Sequence, residues 1–182
     1  MKTVALIAVF VVVAGIYCGG KTGSQAAKPT AVKWPAEATG TLTEDEMVQF
    51  VKVLPAFSAA LKAGSWTPTP PKEDDGPVAS LTSFVESMNI PGLEDSLKKV
   101  GSSWNGLRTT LYKVFAASAA LSIDAASPEM IAEMKKDTSA AAKKGIKDYE
   151  TFKAACSQIP TANKQTLAKH QQELQALQTL GR

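Results

Sequence analysis

Apolar side chains recur every three or four positions through most of the chain after residue 42, and no stretch shows the apolar–polar alternation of a strand. This spacing predicts amphipathic helices. The first helix is predicted to begin at a capping box in residues 43–46 and to end at Gly64, with a kink caused by Pro55. Its apolar stripe consists of Met47, Phe50, Leu54, Phe57 and Leu61.

Residues 65–77 contain four prolines and are predicted to form a loop. A short helix follows, which residues 89–92 interrupt and Gly101 ends. Ser102 or Ser103 is predicted to cap a third, long helix. The apolar stripe of that helix consists of Trp104, Leu107, Leu111, Val114 and Leu121.

A fourth helix is predicted to begin at residues 127–129, where Ser-Pro-Glu supplies a cap and a proline for the first turn. The pattern favours one long, slightly bent helix to residue 159, with two helices broken at Gly145 as the alternative. After Pro160 a final helix is predicted to end at Gly181. The stripe of the fourth helix contains Ile131, Met134, Thr138, Ala142, Gly145, Tyr149, Phe152, Cys156 and Ile159, and that of the last contains Leu167, His170, Leu174 and Leu177.

Together these stripes predict an all-α fold over residues 43–182, an up-and-down helical bundle of four long helices plus one short broken helix. A long coiled-coil dimer is the structural alternative. The frequent proline and glycine breaks argue against it.

The N-terminus has a different pattern. Lys2 precedes fourteen uncharged, mostly apolar residues, 4–17, and Cys18-Gly19-Gly20 follows them. A charged start, an apolar core and small residues are typical of an export signal, here residues 1–20. As a helix, the apolar run would reach about 21 Å, less than the roughly 30 Å of a bilayer core.

This segment resembles a bacterial lipoprotein signal, and the resemblance implies lipidation of Cys18. It departs from that pattern at Gly15 and Tyr17, where an aliphatic and a small residue are expected. Cleavage after Gly20 and retention as an uncleaved anchor are the two alternatives. Residues 21–42 are rich in glycine, alanine, threonine and proline and are predicted to be a flexible tether, with Trp34 folded onto the domain or in contact with lipid.

Charge and cysteine content exclude two classes of protein. The formal net charge of +3 falls to +2 without Lys2, and no block of basic residues occurs, so nucleic acid is not an expected partner. The only cysteines are Cys18 and Cys156. If Cys18 is lipidated or removed, no disulfide framework can form, and Cys156 is expected to be a small buried apolar residue.

Candidate chemistry is sparse, because the chain has one histidine and none of the common metal, nucleotide or hydrolase motifs. Met47 and His170 would lie near each other if the first and last helices pack antiparallel, and together they could ligate haem iron or another metal. This arrangement resembles b-type cytochrome bundles. The alternative is that His170 is a structural residue at the edge of the core and ligates nothing.

The sequence offers three weaker candidate sites. A thiol–imidazole pair of Cys156 and His170 is disfavoured, because Cys156 falls on a packed helix face. Asp74 and Asp75 offer too few oxygen ligands for a divalent cation. An apolar-ligand pocket could be formed by Trp104, Tyr112, Phe115, Tyr149 and Phe152, although such residues usually form core.

These observations predict an exported protein of the periplasm or cell envelope, anchored to the membrane through its N-terminus. It is expected to bind an envelope protein or lipid and to be neither an enzyme nor dependent on a cofactor. A cofactor carrier, using Met47 and His170, and an apolar-ligand carrier are the alternatives.

Overall fold

The computed structural model describes residues 33–63 and 76–174, and within these ranges every regular element is an α-helix. The all-α prediction is therefore confirmed for the described residues. Cys18, Trp66, Asp74, Asp75, Leu177 and the side chain of Leu61 lie outside the description. The helices are α1 (Ala36–Thr39), α2 (Glu44–Ala63), α3 (Pro77–Glu86), α4 (Leu93–Lys99), α5 (Trp104–Asp124), α6 (Pro128–Lys136), α7 (Ala140–Cys156) and α8 (Thr161–Lys169).

Helix α5 lies at the centre of the core. Every side chain from Thr110 to Ala120 is buried except that of Phe115, which is half-buried. A helix buried on all sides must be surrounded by others. Accordingly α1, α2, α3, α4, α7 and α8 all pack against α5.

The beginning of α2 has the predicted capping box. The Thr43 hydroxyl accepts a hydrogen bond from the Glu46 backbone N–H at 3.2 Å, and a Glu46 carboxylate oxygen accepts one from the Thr43 backbone N–H at 2.9 Å. The helix continues through Pro55. Its predicted stripe faces the core: Met47, Phe50 and Phe57 are buried and Leu54 is half-buried.

The short broken helix is confirmed as α3 and α4. Gly92 joins them in a left-handed conformation (φ 74°), which only glycine adopts without strain. Gly101, also left-handed, follows α4. Ser103 then caps α5 by accepting a hydrogen bond from the Gly106 backbone N–H at 3.3 Å.

The prediction of one long helix over residues 128–159 is wrong, and so is the alternative break at Gly145. The chain leaves the helix at residues 137–139 and begins α7 at Ala140. The Asp137 side chain accepts a hydrogen bond from the Ser139 backbone N–H at 2.8 Å, and the Ser139 hydroxyl accepts one from Ala142 at 3.1 Å. These short polar side chains bind the backbone groups that a continuous helix would pair internally.

The predicted last helix is also interrupted. Helix α8 ends at Lys169, His170 has φ −93° and ψ 7°, and a new helical turn occupies residues 171–174. Leu167 and Leu174 are buried, as their positions in the stripe predicted. With three long helices (α2, α5 and α7) among the described residues, the bundle of four long helices is not confirmed.

Part of the predicted tether belongs to the folded domain. Trp34, Ala38 and Leu42 are buried, and α1 packs against α5. The side chain of Asn163 in α8, with no exposed surface, accepts a hydrogen bond from Leu42 N–H and donates one to the Gly40 carbonyl, both at 2.8 Å. The folded domain therefore begins earlier in the chain than the predicted boundary at residue 43.

Candidate functional site

The beginning of α2 and the end of α8 lie side by side, which is the arrangement that the Met47–His170 hypothesis required. Glu44, the first residue of α2, contacts both His170 and Lys169. The His170 side chain is only 9% exposed.

Both ring nitrogens of His170 are bonded to carboxylates. Nε2 lies 2.7 Å from Glu44 Oε1, and Nδ1 lies 2.6 Å from Glu173 Oε2. Ionised carboxylates only accept hydrogen bonds, so two such partners require both ring nitrogens to carry protons. The geometry is that of an imidazolium between two carboxylates.

The charges of this cluster stabilise one another. The hydrogen bond to Glu173 is the main influence raising the pKa of His170, burial opposes it, and the bond to Glu44 adds to the rise. The hydrogen bond from His170 in turn lowers the pKa of Glu44, with a smaller contribution from Lys169. The cluster therefore joins α2, α8 and the helical turn at residues 171–174 electrostatically.

This geometry does not fit haem or metal ligation by Met47 and His170. Met47 is fully buried in the core, and a metal ligand needs a ring nitrogen without a proton. The carboxylates of Glu44 and Glu173 lie at different ring nitrogens and do not converge on one point. Within the described residues no group of three or more histidine, cysteine, aspartate or glutamate side chains could hold a metal ion.

Cys156 is buried at the end of α7, as its place in the stripe predicted. Burial, followed by the negative charge of Asp124, raises the pKa of its thiol to about 12. A thiol with such a pKa is protonated at neutral pH and is a poor nucleophile. The structure therefore gives no support to a thiol–imidazole pair with His170.

The structure places the aromatic residues predicted for an apolar pocket in separate contacts. Tyr112 is buried in the core, and Phe115 packs on Phe84 with ring centroids 6.2 Å apart. Phe152 packs on Trp34 at 6.5 Å. Of the set, Tyr149 alone lines an open groove between α6 and α7.

A second polar contact lies beside the capping box of α2. Lys113, a buried residue of α5, donates to the Glu46 oxygen that the capping box leaves free. Partial burial alone would raise the pKa of Glu46, but the hydrogen bonds from Lys113 and Thr43 outweigh it and lower the pKa. The contact fixes α2 against the central helix.

An open groove of about 320 Å³ lies where α5 leads into the hairpin of α6 and α7. This hairpin, residues 128–156, is the least buried part of the described chain. No described side chain of α6 is fully buried, and in α7 only Ala155 and Cys156 are. The apolar lining of the groove consists of Ala126, Pro128, Ile131, Ala132 and Tyr149.

Two lysines complete the lining, Lys135 from α6 and Lys153 from α7. They are 18 positions apart, so on the continuous helix predicted from the sequence they would be separated by about 27 Å. The turn at residues 137–139 brings them to one groove. The only signal in the sequence was the Asp137–Ser139 pair, whose side chains end one helix and begin the next.

Comparisons of the chain with protein families, with curated proteins and with solved structures find no match. The class of protein rests on the fold alone, an all-α domain built around α5 in the described residues. None of the helices in residues 33–63 and 76–174 is both long and apolar enough to cross a bilayer.

Proposed function

We propose that the protein is exported and tethered to a membrane, and that its helical domain acts by binding another component of the cell envelope. The observation that carries this proposal is the N-terminal segment. Lys2, the fourteen-residue apolar run and Cys18-Gly19-Gly20 have the order of an export signal followed by a lipidation or cleavage site.

The arrangement of reactive side chains in the folded domain supports a binding role over a catalytic one. His170 has both ring nitrogens engaged with Glu44 and Glu173, and Cys156 is a buried, protonated thiol. Each of these residues serves packing or cohesion between helices. The hairpin of α6 and α7, by contrast, offers a groove to a partner, and this favours the apolar-ligand carrier over the cofactor carrier as second candidate.

The test is the intact mass of the protein recovered from membrane and cytosolic fractions. Lipidation predicts a mature chain beginning at Cys18 with a diacylglycerol-sized addition, and the Cys18→Ala variant should lose both this mass and membrane attachment. Cleavage after Gly20 predicts a chain beginning at Lys21. An uncleaved anchor predicts full-length mass in membranes. Full-length chain confined to the cytosolic fraction would contradict export.

A further inference from the structure

The groove between α6 and α7 combines an apolar lining with two lysines. We propose that it binds a single-chain anionic amphiphile of the fatty-acid class, with the chain along the apolar lining and the carboxylate between Lys135 and Lys153. The inference rests on the proposed binding function and deepens it by naming the ligand.

The apolar part of the groove is suited to an alkyl chain. Ile131 and Tyr149 are half-buried and Ala132 is exposed, so apolar surface remains accessible between the two helices. The volume of about 320 Å³ lies at the lower end of the range for small-molecule sites. The groove is one depression lined by seven residues, so a single hydrocarbon chain, and not a bilayer surface, is the occupant proposed.

The charge of the groove selects an acidic headgroup. Neither Lys135 nor Lys153 has a carboxylate partner in the part of the chain that the structure describes. Other lysines of the same helices do have one: Lys136 binds Glu133 at 2.7 Å and Lys144 binds Asp148 at 2.9 Å. Two ammonium groups beside the apolar residues of an open groove match a carboxylate at the end of a hydrocarbon chain.

Direct binding to the delipidated full-length chain tests the proposal, with palmitate below its micellar concentration as the probe and methyl palmitate as its uncharged counterpart. Palmitate should bind saturably, and the methyl ester at least about tenfold more weakly, because it lacks the charge that the lysines complement. Absence of saturable palmitate binding, or equal affinity for acid and ester, would overturn the proposal.

Matched variants separate the groove from general basicity. The double variant Lys135→Gln, Lys153→Gln should weaken palmitate binding at least about tenfold. The control Lys136→Gln, Lys144→Gln removes the same charge from the same helices and should leave binding within about twofold. Equal loss in the two double variants would show a diffuse electrostatic effect and would refute the site.

A steric variant tests the apolar lining. Ala132→Trp places a large side chain in the groove, at an exposed position of α6, and should abolish palmitate binding. The control Ala154→Trp, at an exposed position of α7 that is not part of the groove lining, should not. Circular dichroism of each variant checks that the helices are retained. If Ala132→Trp folds and binds palmitate normally, the chain does not occupy this groove.

Anionic vesicles distinguish a bilayer surface from a single amphiphile. Binding to vesicles without binding to monomeric palmitate would replace the proposed ligand by a membrane and would overturn the proposal. Failure here is separable from failure of the export proposal. A processed, tethered chain that binds no palmitate refutes only the groove, and a cytosolic, unprocessed chain that binds it refutes only export.

Discussion

Asn163 joins α8 to the segment before α2 through two hydrogen bonds of its fully buried side chain. Its amide satisfies the Leu42 N–H and the Gly40 carbonyl, two backbone groups that no helix pairs. Asn163→Leu removes both partners, so we expect the free energy of unfolding to fall by about 2–5 kcal/mol, measured by urea denaturation. The exposed control Gln158→Leu should change it by less than about 0.5 kcal/mol. An unchanged midpoint for Asn163→Leu would contradict this role.

Trp34 presents the opposite case, a buried hydrogen-bond donor without an acceptor in the described residues. Its indole Nε1 has no hydrogen-bond partner among the described residues, while its ring packs on Phe152. Trp34→Phe removes the unpaired donor and keeps an aromatic ring, so its cost should stay within about 1 kcal/mol. Trp34→Ala should cost about 3–5 kcal/mol. If Trp34→Phe and Trp34→Ala lower the free energy of unfolding equally, in thermal or urea denaturation, the indole N–H must be hydrogen-bonded in solution.

At the scale of the elements, the His170 cluster makes the junction of α2 and α8 dependent on pH. The pKa of His170 is raised on folding, so its contribution to stability is complete below the ordinary value of 6.5 and is lost as pH rises through the raised value. The pKa values of Glu44 and Glu46 are lowered, so their contributions are lost as pH falls through those lowered values. Stability should therefore be greatest in the mildly acidic range between these limits.

The single histidine makes this prediction easy to measure. One imidazole resonance should titrate in NMR above pH 6.5, and the Glu173→Gln variant should move its pKa downward. His170→Asn should remove the loss of stability that accompanies this titration in the wild type. A histidine that titrates below 6.5 would contradict the two-carboxylate geometry and would mean that burial of the ring, which lowers its pKa, outweighs the two carboxylates.

Helix α6 should be the least stable described helix of eight residues or more in native-state hydrogen exchange. Its described side chains are exposed or half-buried, whereas the middle of α5, residues 110–120, is almost completely buried. Segments with little buried apolar surface open locally at low free energy. Amides of α6 should therefore exchange at least about tenfold faster than those of α5, with protection near the global value only in α5. Equal protection would mean that the hairpin opens only with the whole domain.

The elements that could be predicted from the sequence are those that depend on neighbouring residues. Local chemistry predicted the capping box at residues 43–46, a serine cap at residue 102 or 103 and an interruption at residues 89–92, because each depends on neighbours within a few residues. The helix break at residues 137–139 was missed because the apolar period continues across it. The groove was missed with it, since Lys135 and Lys153 meet only once the chain has turned.

For the whole molecule, long-range partners decide where the domain begins. The composition of residues 33–42 is that of a tether, yet Trp34, Ala38 and Leu42 are buried. What anchors them is Asn163 and the surface of α5, more than sixty residues away in sequence, and no local pattern reveals such partners. Burial of a few apolar residues in a polar stretch can thus outweigh its composition.

Two truncated chains turn this boundary into a measurement. A chain of residues 33–182 retains every buried residue of the described core, whereas a chain of residues 43–182 begins where the sequence places the domain. The shorter chain loses the Trp34 and Leu42 side chains and leaves the fully buried Asn163 without either backbone partner. Losses of about 3–5 kcal/mol for such a tryptophan and about 2–5 for such a leucine approach the whole stability of a typical domain, about 5–15 kcal/mol.

We therefore expect residues 33–182 to unfold cooperatively in urea, and residues 43–182 to unfold without a sharp transition and to bind hydrophobic dyes. Equal midpoints would mean that the contacts of residues 33–42 add nothing to the fold, and would return the boundary to residue 43.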